Sequence, residues 1–292
     1  MVANECIAEK GSFSLAVPGG SVVAALGGLD KDAFDFSKTH IFFCNEKIPS
    51  YPCIDGALKE TQKIGLPDEN VHAFAKTGSP QEIADAYTSL MKSHPSIDNS
   101  RSVPSVDMML LGTGGDGHCG CIFPESAEVK QSGEGKVVLA GNDDRADGDF
   151  VAVSMDIMCA AKTVLVSAAG EGRAEMVAKA LSGEFGAYDC PAGMVEAQDE
   201  TICACLPPAA IKPTQHAHAE DPRNSTRPVA PHCTCACVAL LLVCPRLLSP
   251  SAVESQNPQG SPTWTVLASS MRTRPSTTRT RSEVGAPLSC WG

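Results

Sequence analysis

The sequence predicts an α/β fold with three layers, a mostly parallel sheet carrying helices on both faces. Three observations lead there. Short, continuously apolar runs recur, FSLAV at 13–17, THIFFC at 39–44, VDMMLL at 106–111 and TVLVSA at 163–168, and strands buried on both faces read in this way rather than alternating. Several are followed by a glycine turn and then by helical sequence, the order of a strand–crossover–strand unit. The glycine turns all fall at carboxyl ends of strands, where open sheets of this class bind ligands.

Taken in order, FSLAV is a strand that ends at Pro18-Gly19-Gly20-Ser21, and VVAALGGL at 22–29 is the helix it feeds. Such a turn presents backbone N–H groups to an anion. THIFFC is the next strand, ending in the loop Asn45–Pro49. Residues 58–64 read as a helix and NVHAF at 70–74 as a short strand. Ser79-Pro80-Gln81-Glu82 has the capping-box pattern with proline at the first helical position, so a helix runs from there to about His94. After VDMMLL, strands are expected at 137–140 and 150–154, a helical turn at 157–161, and the strand TVLVSA. Gly170-Glu171-Gly172-Arg173 then opens AEMVAKALSG, a helix closed by glycine. The alternation makes the sheet Rossmann-like.

The 292 residues have room for one large α/β domain or two small ones. No stretch approaches the roughly 18 consecutive apolar residues of a membrane span. MVANECIAEK lacks the basic-then-apolar order of a secretory signal, so a cytoplasmic protein is expected, without a membrane partner. The 14 cysteines lie in apolar runs or in an irregular tail with no regular spacing, and read as reduced, mostly buried thiols.

Composition changes at residue 206. Up to Leu206 there are 15 basic and 30 acidic residues; after it, 8 basic and 4 acidic, and 12 of the chain's 21 prolines. Residues 1–206 are therefore read as the domain. Residues 207–292 are read as a disordered Pro/Arg/Cys-rich tail, of the kind that frameshifted or non-coding sequence yields. Its HCTCAC run lacks the paired spacing of a zinc site. The arginines at 272–281 lack interleaved aromatics and follow an acidic body, so no nucleic-acid partner is expected.

The chemistry concentrates in LLGTGGDGHCGCIFPES at 110–126. An acid and an imidazole, Asp116 and His118, stand on a turn almost bare of side chains. GTGGDGHCGCIFP resembles the GxGxDGHxASLFP signature of the 6-phosphogluconolactonase family, which is grouped with the glucosamine-6-phosphate deaminases. FSLAVPGGSVVAAL, HIFFCNEKIPSYPCIDGALKE, LVSAAGEGRAEMVAKAL and CPAGMVEAQDETICACL are similar to further family blocks in the same order, covering about residues 11–206. The family's leading helix is expected to be missing here.

The resemblance implies hydrolysis of 6-phosphoglucono-δ-lactone without metal or cofactor, by a monomer or weak homodimer; a truncated N-terminus leaves a plastid address open. His118 is the implied base for water, since imidazole titrates near neutrality. Asp116 orients the ring or a water, and N–H groups of the turn that includes Gly114 and Gly115 stabilise the oxyanion. Gly19, Gly20, Ser21, Glu46, Lys47 and Arg173 are the implied substrate and phosphate contacts. Cys119 and Cys121 read as packing residues rather than metal ligands. Asn45 stands where the family has an acid, Phe150 where it has an arginine, and Pro18 where it has a serine. Arg145 is a candidate replacement for that arginine. These departures make a slow lactonase or a non-catalytic phosphosugar-binding relative the alternative reading. A deaminase is disfavoured, because the amide of Asn45 cannot act as its base.

Overall fold

The computed structural model describes residues 2–183 and 185–206, with the backbone of Val253–Glu254 and Trp264–Ala268. The expected strands form at β1 (Phe13–Val17), β2 (Thr39–Phe43), β4 (Met108–Gly112) and β7 (Thr163–Ala169), and a strand the sequence reading did not mark, β8 (Glu200–Leu206), joins them, all parallel, in the order β2-β1-β4-β7-β8. All of β1 and residues 108–111 of β4 are buried, so both faces of the sheet are covered. The chain runs from β1 outward to β2 and then crosses back to β4 on β1's other side. The switch point of the topology therefore lies between β1 and β4, where ligands bind.

Several expectations are corrected. Residues 2–10 form a helix, α1, where the leading helix was expected to be missing. Lys10 at its end bonds the buried Asp107 at 2.7 Å, and Asp107 also accepts from Ser14 and pairs with Lys162. Burial by itself would raise the Asp107 pKa; the Lys10 and Ser14 hydrogen bonds outweigh it and hold the group low. The helix after Gly20 is a single turn, α2 (Ser21–Ala24), passing into a 3-10 turn at Leu26–Gly28 because Gly27 and Gly28 are poor helix formers. Helix α3 (Pro52–Ile64) starts a turn and a half earlier than read, with proline in its first turn and Gly65 closing it in the left-handed region. The capping box forms as read and opens α4 (Pro80–Ser93).

Asn45–Lys47, expected as loop, is a strand, β3. It pairs antiparallel with β6 (Gly148–Val153), which pairs with β5 (Val138–Asp143) in a separate three-stranded sheet. Helices α5 (Met155–Ala160) and α6 (Ala174–Ser182) follow β6 and β7. NVHAF is not a strand: only Val71 bridges β2, and His72 N–H donates to Ile41 O at 2.8 Å. Within the segment expected to lack structure, two strands are described, β9 (Val253–Glu254) and β10 (Trp264–Ala268), with β10 parallel to β8. The rest of residues 207–292, including the HCTCAC and arginine runs, lies outside the described residues.

The His72 ring packs on Phe42 and beside His40 and His94. Burial, then the neighbouring His94 and His40, depress its pKa to about 4. Since the unfolded chain takes up that proton near pH 6.5, it binds more protons than the folded chain between those values. Stability therefore holds above about pH 6.5 and falls as pH drops toward 4. Thermal melts across that range should show a shallower decline for His72→Gln than for the parent chain.

Candidate active site

Three glycine turns meet at the carboxyl ends of β1, β4 and β7. The first, Gly19–Ser21, follows β1; Gly20 sits at φ 72°, a left-handed conformation that favours glycine. The N–H groups of Gly19, Gly20 and Ser21 make no hydrogen bond to another described residue. The second, residues 113–118, follows β4. The third, residues 170–173, follows β7 and lies against the second. A Cβ on Gly115 would stand 2.6 Å from Gly172 O, so this approach requires glycine. Arg173 Nε donates to Thr113 O at 2.6 Å, tying the two turns together.

On the middle turn, His118 Nδ1 lies 2.7 Å from Asp116 Oδ1, and His118 N–H donates to the same oxygen at 3.2 Å. The two side chains are 35% and 43% exposed, open to a ligand yet fixed on each other. Gly114 lies directly beneath them: a Cβ there would be 2.5 Å from both Asp116 Oδ1 and the His118 ring. Not all of the turn's donors are available for an oxyanion. Gly114 N–H donates to His118 O and Gly117 N–H to Gly114 O. The N–H groups of Gly115 and Asp116 make no hydrogen bond to another described residue.

The His118 ring leans on Phe123, at 4.9 Å between centroids. Across Phe123 lies the Arg145 guanidinium, 4.6 Å from the ring centroid, within cation–π range. Arg145 is held by Asp143 at 2.9 and 2.6 Å and donates to Pro124 O. Phe150, fully buried, meets Phe123 edge-on. A cation thus reaches the site from the β5–β6 turn although the strand position itself holds phenylalanine. The sequence signal was Arg145's nearness to Phe150, but the aromatic seat that places it is tertiary.

Two of the expected contacts are placed differently. Glu46, read as a substrate contact, is fully buried. Its carboxylate accepts from the N–H groups of Lys47, Cys53 and Ile54 at 2.8, 3.1 and 2.7 Å, capping the start of α3. This is a correction: the acid is consumed by a helix terminus. Glu46→Gln leaves Ile54 or Cys53 N–H facing an amide N–H₂ instead of an acceptor. The expected loss is about 2 kcal/mol of stability, or a melting point lower by about 4–8 °C, read by thermal denaturation. Lys47 pairs with Asp147 at 2.5 Å, and that hydrogen bond raises its pKa, so a phosphate there competes with a carboxylate.

Asn45 is nearly buried, its amide 3.1 Å from Cys121 Sγ and 3.7 Å from Cys53 Sγ. Cys119 instead meets Met158 Sδ. The two thiols flanking Gly120 thus face different partners and share no ligand position with His118. Burial raises both of their pKa values, Cys121 to about 11. Among the described residues no helix is long and apolar enough to cross a membrane.

Known proteins resemble this chain in sequence and in fold. It is 28% identical to 6-phosphogluconolactonase 3, chloroplastic, of Arabidopsis thaliana over 218 residues, 70% of this chain and 66% of that protein. It is 29% identical to the 6-phosphogluconolactonase of Streptomyces coelicolor over 67% of this chain and 80% of that protein. The chain thus spans just under two thirds of the plant relative. The crystal structure of the Thermotoga maritima 6-phosphogluconolactonase superposes with a TM-score of 0.59 at 16% identity, over 70% of this chain and 89% of that one, a likeness of fold. The family model for glucosamine-6-phosphate isomerases/6-phosphogluconolactonase matches residues 1–203, from α1 into β8. With its whole α/β body matched, the chain belongs to that family.

Proposed function

We propose that this chain hydrolyses 6-phospho-D-glucono-1,5-lactone to 6-phosphogluconate, a carboxylic ester hydrolysis of the oxidative pentose phosphate pathway. The observation that carries the reading is the 2.7 Å Asp116–His118 pair on a glycine turn at the sheet's switch point. The relatives named as 6-phosphogluconolactonases support it.

In this mechanism Asp116 accepts Nδ1–H, which leaves the Nε2 lone pair of His118 to take a proton from water. The hydroxide so formed attacks the lactone carbonyl. Charge gathers on the carbonyl oxygen, where the N–H groups of Gly115 and Asp116 are available as donors. Collapse breaks the bond to the ring oxygen, which takes the proton back from His118. The new carboxylic acid then gives its remaining proton to solvent. Gly19–Ser21 and Arg173, with Arg145 nearby, supply N–H groups and positive charge for the phosphate. Lys47 joins them where the phosphate displaces Asp147. A monomer or weak homodimer goes with this reading. A cytoplasmic or plastid compartment goes with it too, the plastid supported by plant relatives named as chloroplastic.

The test is acid release from the lactone by the full chain, over the uncatalysed rate, beside ammonia release from glucosamine 6-phosphate. Lactone hydrolysis without ammonia is expected. Ammonia release would contradict the role denied to Asn45, and a lactone rate no faster than buffer would leave only a phosphosugar-binding relative.

A further inference from the structure

A second cluster of chemistry-bearing side chains lies away from the three turns, on the edge of the sheet. Ring nitrogens of His40, His72 and His94 all lie within 4.8 Å of one another, the one such group able to hold a cation among the described residues. Three elements bring them together. His40 is in β2, the edge strand; His72 is bonded alongside that edge through Ile41; His94 ends α4. His40 precedes Asn45 by five residues, about 16 Å along the strand, so the cluster is separate from the hydrolytic site.

His40 Nδ1 and His72 Nε2 are 3.1 Å apart. Two imidazoles sharing a tetrahedral ion at about 2.1 Å have nitrogens roughly 3.4 Å apart, so this pair is already spaced for it. The His94 ring centroid is 4.2 Å from that of His72 and 4.9 Å from that of His40. Ser96 occupies His94 Nδ1, with N–H at 3.2 Å and Oγ at 2.8 Å, and leaves Nε2 as the nitrogen for a ligand bond.

We propose that His40, His72 and His94 bind a divalent transition-metal cation of the zinc type, through three imidazoles and a fourth position open to solvent. Binding at His94 Nε2 moves that ring's proton to Nδ1, where Ser96 Oγ accepts it in place of the bond that Ser96 N–H donates to Nδ1 in the metal-free chain. Burial holds all three rings toward their neutral, ligating form, so few protons need be released at neutral pH. Lys10 is the nearby positive charge, and its pairing with Asp107 offsets it. All three side chains are only partly buried, which leaves room for the rotation that brings the third nitrogen in.

The experiment titrates the reduced full chain with Co²⁺ alone and then displaces it with Zn²⁺. One equivalent of Co²⁺ should give visible d–d bands of a four-coordinate site, without sulfur-to-cobalt charge transfer because every protein ligand is nitrogen. Zn²⁺ should abolish the bands and raise the melting temperature. His72→Gln should weaken Co²⁺ binding by about 100-fold or more, beyond what losing an orienting partner costs. His40→Gln, at the sheet edge, reads the same loss should the His72 variant not fold. Absence of d–d bands, sulfur-to-cobalt bands, or undiminished binding by a folded variant would each overturn the proposal.

Discussion

His118→Ala is expected to lower kcat for lactone hydrolysis by about 100- to 10,000-fold, the range supplied by a positioned general base, with little change in melting temperature. The ring is one-third exposed and rests on Phe123 with no large core contact to lose, so the variant should fold. KM should change little, because the proposed phosphate contacts all lie off the His118 turn. Asp116→Asn should show a smaller fall of the same kind. The amide either donates to Nδ1, turning the ring to its wrong tautomer, or accepts from it with reduced strength. Steady-state kinetics, with circular dichroism as the check on folding, reads both. An unchanged kcat for a folded His118→Ala would end the assignment of the base and, with it, the mechanism.

The second large effect belongs to a residue with no side chain. Gly114→Ala places a methyl group 2.5 Å from both Asp116 Oδ1 and the His118 ring. Those groups are flexible side-chain ends rather than backbone, so the expected outcome is displacement of the pair and not unfolding. A shift of about 1 Å at a reacting group costs on the order of 100-fold in rate, and that is the fall expected in kcat. Gly115→Ala differs in kind, since its methyl meets the carbonyl of Gly172, which is backbone. The turns themselves must then part, and both kcat and KM should suffer. A Gly114→Ala enzyme with parental kinetics would mean that the pair is not held in its working position by this turn.

Strands β1, β2, β4 and β7 were legible because each is a largely apolar run, and burial on both faces imposes that pattern whatever the neighbours are; β8 opens on Glu200-Thr201 and carries no such signal. The capping box at Ser79 was legible for a similar reason: its hydrogen bonds join residues three apart. NVHAF misled because its apolar residues satisfy a strand pattern while its role is set by others. Phe74 packs on Tyr87, and only Val71 finds a place on β2. Asn45–Lys47 misled in the opposite sense. Three polar residues have no strand signature, and β3 exists because β6 lies beside it.

The site divides in the same way. Asp116 and His118 are two residues apart, so a turn suffices to join them, and that pairing was readable from the motif. Glu46 and Lys47 are charged residues next to a predicted strand end, which in sequence alone looks like a ligand-binding edge. Only the fold shows that the start of α3 takes the Glu46 carboxylate and that Asp147, a hundred residues away, takes the Lys47 ammonium.

By itself, then, the sequence determined the four apolar strands β1, β2, β4 and β7, where the glycine turns fall, and that an acid and an imidazole share one of them. Those features depend on residues within one turn or one strand of each other. The tertiary structure decided which charges remain available to a ligand, how Arg145 is seated on Phe123, and that three histidines spread over 55 positions converge on one sheet edge. Charges and ring nitrogens find their partners through space, and the distance along the chain carries no information about which partner that will be.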